Sequence, residues 1–192
     1  MFLAFAVLGV LVAGGVRATT TLGGGLALAA TAPEPAASQW TRHLAPPGTC
    51  PHDDSPTAGP REQMAAMRCL LDQARRERGL PPLVWDARLQ RSAAVKAEAV
   101  VRCAEFSHTP CGRPVAETLA ASGWDRGGGE NLAWAAGEGR SVRVLVDGWL
   151  RSPRHRANLL GPGWRAQGLA LVRVERFLHA GPAVVWVHHL GA

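Results

Sequence analysis

Apolar residues fall along this chain in separate blocks, some at helical spacing and some at strand spacing, and the order of the blocks predicts the elements. From Arg61 to Arg78, Met67, Leu70, Leu71 and Ala74 recur three and four positions apart on one face, with Arg68, Asp72, Arg75 and Arg76 opposite. That is a half-buried helix, ended by Gly79 and Pro81-Pro82. A second helix starts after Asp86 and runs to about Arg102, with Leu89, Ala93, Ala97, Val100 and Val101 inward. Pro114 suits the first turn of a short helix that Gly123 stops, which puts Glu117 on that helix. Gly127-Gly128-Gly129 leads into a strand that begins at Glu130 and includes Trp134. Ser141 caps a further helix whose stripe is Val142, Leu145, Val146, Trp149 and Leu150, with Arg143, Asp147 and Arg151 toward water. Ser152-Pro153 ends it and opens one more helical turn, which carries His155 and Asn158.

Two strands close the chain, Gln167 to Val174 and Ala183 to His189. Both are so continuously apolar that each is expected to be covered on both faces, which places helices on either side of a central sheet. With 47% hydrophobic and 19% charged residues the composition is globular, which excludes a disordered or fibrous chain. The 192 residues suit one domain with a core of its own.

The formal charge of +6 is carried almost wholly by arginine, Lys96 being the only lysine. From Arg61 onward 19 basic residues face 12 acidic ones, so the excess belongs to the domain. A basic surface favours anionic cell-wall polymers or lipid head groups. The arginines come as singles and pairs rather than as a dense run, which reads as solvated helix faces and argues against nucleic acid as a partner.

Residues 1 to 30 read as a signal peptide. Met1 to Val16 is apolar and uncharged, and Ala27-Leu28-Ala29 has the small-residue pattern of a cleavage site. No basic segment precedes the apolar run, so an N-terminal anchor that touches the membrane is the alternative; the run is shorter than the roughly 20 residues that span a bilayer. Residues 31 to 60, rich in Pro and Ala, form a linker, and 61 to 192 the domain. The protein is therefore expected to be secreted, or else held at the cell envelope. In such a compartment Cys50, Cys69, Cys103 and Cys111 are read as disulfides. Three connectivities are open to four cysteines and sequence does not choose among them; the preferred one is a local Cys103–Cys111 clip with a Cys50–Cys69 bond tying the linker to the first helix.

Four segments offer an imidazole or carboxylate near the end of an element: Phe106-Ser107-His108, Ala116-Glu117, Gly129-Glu130-Asn131-Leu132-Ala133, and the run from Trp149 through Ser152-Pro153-Arg154-His155-Arg156-Ala157-Asn158 to Leu160. Taken in order, and with Asp72-Gln73-Ala74-Arg75, Gly79-Leu80-Pro81-Pro82-Leu83 and Gly168, they resemble the CAP superfamily, especially its short bacterial, SCP-like extracellular members. This superfamily holds the cysteine-rich secretory, antigen 5 and pathogenesis-related proteins. The resemblance spans about the last 130 residues, the length of a domain. It implies an α+β fold, a three-layer α/β/α sandwich with a mostly antiparallel central sheet. It also implies a cleft lined by His108, Glu117, Glu130 and His155.

Facing carboxylates in a partly dry cleft repel unless a cation or imidazolium neutralises them. The four side chains are therefore candidate ligands for a divalent cation, Zn²⁺ for the imidazoles or Mg²⁺ or Ca²⁺ for the carboxylates, with a hydrogen-bonded network that ties loops to the sheet as the plainer alternative. Asn131, Trp149, Ser152 and Asn158 are assigned to scaffolding, and Trp124 and Trp134 to packing. The resemblance implies an extracellular binding module that presents its cleft to a small ligand: a lipid, sterol, cell-wall fragment or peptide. The alternative is a metal-assisted hydrolase with Glu117 or Glu130 as general base, although the chain has no H-E-x-x-H helix motif. Ser107 beside His108 is a weak nucleophile candidate, because adjacent side chains point apart. A surface protein with an inert cleft is the third reading. Oligomeric state has no signature in the sequence.

Overall fold

The computed structural model describes residues 39–192, so the signal segment and the first part of the linker lie outside the described residues. The helices are α1 (Pro60–Glu77), α2 (Ala87–Arg102), α3 (Val115–Ala121), α4 (Val142–Arg151) and α5 (Pro153–Leu159). The strands are β1 (Val84–Trp85), β2 (Gly128–Ala136), β3 (Ala166–Val174) and β4 (Ala183–Gly191). Local chemistry explains the boundaries. Asp86 caps α2 by accepting from the Arg88 N–H, Ser141 caps α4 by accepting from the Val144 N–H, and Gly123 leaves α3 at φ +86°.

The sheet order is β1-β3-β4-β2. β4 pairs antiparallel with both β2 and β3, while β1 joins β3 in parallel at the edge. The sheet is thus mixed, and antiparallel except at its two-residue edge strand, which is too short to show a periodicity in sequence. β4 has neighbours on both sides and is buried over its whole length, as its apolar run requires.

Successive β4 side chains point to opposite layers. Val184 and Trp186 meet α1 and α4 through Met67, Leu70, Val146 and Trp149, whereas Val187 packs with Leu132 and Ala170 against Ala93 and Ala97 of α2. Gly168 of β3 lets α2 approach the sheet closely, since a Cβ there would collide with the backbone of Leu89 and Gln90. Three layers result: α1, α4 and α5, then the sheet, then α2.

Two expectations about the wet faces are corrected. Arg75 is buried, and its guanidinium donates to the carbonyls of Pro81, Leu159 and Gly161, joining the end of α1 to the end of α5. Arg143 is only partly exposed and pairs at 2.5 Å with the buried carboxylate of Asp53. Helical spacing reports which way a side chain leaves the helix, but not that another segment will fold over it. The segment over Arg143 belongs to residues 39–59: Arg143 also bonds the carbonyls of Ala45 and Pro46, and Arg156 stacks on Trp40 at 3.6 Å. The Cys50–Cys69 disulfide ties this segment to α1, and Cys103–Cys111 closes the loop after α2, as the preferred pairing has it.

Candidate functional site

Glu130 organises the site. It lies on β2 directly across from His189 of β4, and residues directly opposite in an antiparallel pair share a face. The Glu130 side chain is 2% exposed, and its two oxygens meet two imidazoles: Oε2 lies 2.8 Å from His189 Nε2 and Oε1 lies 2.6 Å from His108 Nδ1. His189 is wholly buried, whereas the His108 side chain is 60% exposed. The carboxylate is therefore held from within by one imidazole and holds the other at the surface.

Burial by itself would push the Glu130 carboxyl up. The hydrogen bonds from His108 and His189, with the charges of His189 and Lys96, outweigh it and hold the carboxyl below its ordinary value. An ionised carboxylate only accepts, so both contacting nitrogens donate. For His108 this assigns the proton to Nδ1 and, in the neutral ring, leaves the Nε2 lone pair facing out.

Cys103–Cys111 closes the loop that carries His108, and Lys96 pins it from below: the buried ammonium donates to the His108 carbonyl at 2.9 Å and to the Arg113 carbonyl at 3.0 Å. Burial lowers the Lys96 pKa, against the opposing fields of Glu130 and Glu117. The Ser107 hydroxyl accepts from the Thr109 N–H at 3.2 Å, a local turn bond rather than a bond to an imidazole.

The other two sequence candidates stand at the margin. His155, half-buried at the start of α5, has its pKa lowered by burial and then by the charge of His108, which places the two rings within electrostatic reach. Glu117 is exposed in the first turn of α3 and is felt by Lys96. Asn131, on the opposite face of β2, donates to the His155 carbonyl at 3.2 Å. Asn158 donates to the Glu130 carbonyl and to Asn131 Oδ1, and Trp149 Nε1 to the Leu132 carbonyl. These residues scaffold. Trp124 is buried with Leu89 and Leu119, and Trp134 packs edge-on against Phe106 and Phe177.

Sequence reasoning missed His189 and Lys96. Lys96 had a visible signal, since it falls on the buried stripe of α2 beside Ala93, Ala97 and Val100. His189 had none before the register of β2 on β4 was known.

As placed here, Glu130 serves as the partner of two imidazoles rather than as a direct ligand for a cation. Both Glu130 oxygens are taken by imidazole donors, and among the described residues no group of three or more His, Cys, Asp or Glu is placed to hold a metal ion. The site can instead present an oriented imidazole, half in water, whose outward nitrogen accepts a hydrogen bond when neutral.

Residues 70–189 match the model of the cysteine-rich secretory protein family, CAP. No curated protein matches the chain. Among solved structures, an outer surface protein of Borrelia burgdorferi is similar with a TM-score of 0.59 and 19% identity over 70% of this chain and 95% of that one. An extracellular protein of Bacillus anthracis containing an SCP domain is similar with a TM-score of 0.53 and 20% identity, over 70% of this chain. A cysteine-rich secretory protein of Staphylococcus aureus gives 0.50 and 17% over 69%. This chain spans 44% and 39% of the Bacillus and Staphylococcus proteins, so the likeness to them is of one domain.

Proposed function

This chain belongs to the cysteine-rich secretory protein family, CAP, and from that premise we propose that it works outside the cytoplasm as a binding module whose cleft takes a small ligand at His108. Two disulfides among the described residues support an oxidising compartment, and the structural relatives named above are extracellular or outer-surface proteins. The observation that carries the binding reading is the His108–Glu130–His189 chain. A buried, ionised carboxylate fixes both the orientation and the tautomer of an exposed ring, so little freedom is lost when a ligand donates to Nε2. The ligand class is an amphiphile, cell-wall fragment or peptide that offers a hydroxyl or amide N–H at that point. Among the described residues no hydroxyl or thiol bonds His108 or His155, which favours binding over nucleophilic catalysis.

The test is a titration of the protein with lipid vesicles, soluble peptidoglycan fragments and short peptides, followed through the histidine ring signals in NMR spectra. The expected result is saturable movement of the His108 and His155 signals with one class, and affinity at least about tenfold weaker in His108→Ala, the loss of one hydrogen bond to a charge-supported group. Equal affinity in that variant would sink the reading. Turnover of any panel member that disappears in Glu130→Gln would replace it with the hydrolase.

A further inference from the structure

Lys96 is a buried cation without a contact counter-ion. Lysine is almost never fully buried unless paired, yet this one is 1% exposed, and among the described residues no carboxylate lies within ion-pair distance of it. Its two hydrogen-bond partners are neutral carbonyls, those of His108 and Arg113. An ammonium carries three N–H donors, so one remains. Glu130 and Glu117 act on it only through longer-range fields, which leave its pKa lowered by burial.

Beside it lies a cavity of about 90 Å³ between α2, the turn at Pro110–Gly112 and the start of α3. Its charged lining residues are Lys96, Arg102 and Arg113, and no carboxylate lines it; Ala99, Cys111 and Thr118 complete much of the wall. The Glu105 carboxylate, on the same loop, accepts from the Cys111 N–H at 3.0 Å. At roughly 30 Å³ per water the space is worth about three waters. That is room for a carboxylate or phosphate group.

We propose that this cavity is a binding site for a small oxyanion, a carboxylate or phosphate group, free or at the head of a larger ligand, which completes the coordination of Lys96 between the guanidinium groups of Arg102 and Arg113. The site shares Lys96 with the loop that carries His108, but its lining does not include the His108 ring, so it does not rest on the function proposed above. It gives the basic excess of the domain one local use, in which the anion meets the anchored Lys96 ammonium at close range rather than a diffuse field.

The experiment titrates sodium acetate and, separately, sodium phosphate into the protein at constant ionic strength and pH 7, with sodium chloride as the control. Backbone amide signals of Lys96, Cys111, Arg113 and Thr118 report the cavity, and the His108 ring reports the cleft. Saturable movement of the cavity signals with one or both oxyanions but not with chloride is the expected result. Arg113→Gln, at an exposed position that leaves the fold alone, should weaken it about tenfold, as the loss of one charge-assisted bond does. Lys96→Met, an apolar replacement of similar length, should abolish it. Acetate alone would point to carboxylate ligands and phosphate alone to phosphorylated ones. Linear shifts shared with chloride, or saturable shifts of equal midpoint in Arg102→Gln and Arg113→Gln, would overturn the proposal. Failure here with intact ligand responses at His108 would leave the cleft reading standing.

Discussion

The two imidazoles on Glu130 are alike in chemistry and unlike in burial, and burial sets what each contributes. Removing His189 leaves a buried carboxylate oxygen without a donor, so His189→Ala is expected to cost about 3 kcal/mol of unfolding free energy. His108→Ala removes a mostly exposed ring, and water replaces it; that loss should stay within about 1 kcal/mol. Urea unfolding of the two variants checks the order, and equal costs would refute this account of the site. A second residue governs the response to acid. His188 is wholly buried, stacks on Trp149 and bonds Gln167, and burial pushes its pKa down from 6.5 to about 3. Between those values the unfolded chain binds a proton that the folded chain does not. Stability should therefore be full above pH 6.5 and fall as pH drops toward 3, by up to about 1.4 kcal/mol per pH unit. Glu130, held below its ordinary value, adds a further loss below pH 4.5. His188→Gln should flatten the decline between pH 6.5 and 4.5 and make the limb below pH 4.5 shallower, leaving there the part due to Glu130, which unfolding midpoints at several pH values would show.

At the level of elements, two close approaches fix how the helices sit on the sheet. Gly168 admits the backbone of α2, and Gly168→Ala is expected to destabilise by about 3 kcal/mol through a clash with Leu89 and Gln90 that no rotamer relieves. Arg75 bonds three carbonyls at the ends of α1 and α5, and Arg75→Met would leave them unpaired in the interior. A loss of about 3 kcal/mol, with early amide exchange at Leu159 and Gly161, is the expected outcome. The helices themselves were readable from their stripes, with ends within about a residue of those expected. Arg75 was not readable. Its place four residues after Leu71 and eight after Met67 is at the edge of the apolar stripe, and only the arrival of Pro81 and the 159–161 turn makes that edge an interior one.

For the molecule as a whole, the Cys50–Cys69 bond and the Arg143–Asp53 pair fasten residues 39–59 to α1 and α4. Closing a loop of 19 residues restricts the unfolded chain by about 3 kcal/mol. The Cys50→Ser/Cys69→Ser double variant should lose about that much in denaturant unfolding. It should also become open to protease cleavage before α1, while the 61–192 part stays folded.

The sequence by itself determined what is local or periodic: the helical stripes, the covered strand β4 and the covered first half of β3, the capping residues, and the motif segments that placed His108 and Glu130 in the CAP family. Periodicity and capping depend on residues a few positions apart, and so they survive in a linear string. The tertiary structure alone decided which groups meet. The β2–β4 register set His189 under Glu130, the folded-over loop placed the His108 and Arg113 carbonyls on Lys96, and Glu117 came to lie exposed rather than against Glu130. Such pairings join residues tens of positions apart, and only the packing of whole elements specifies them.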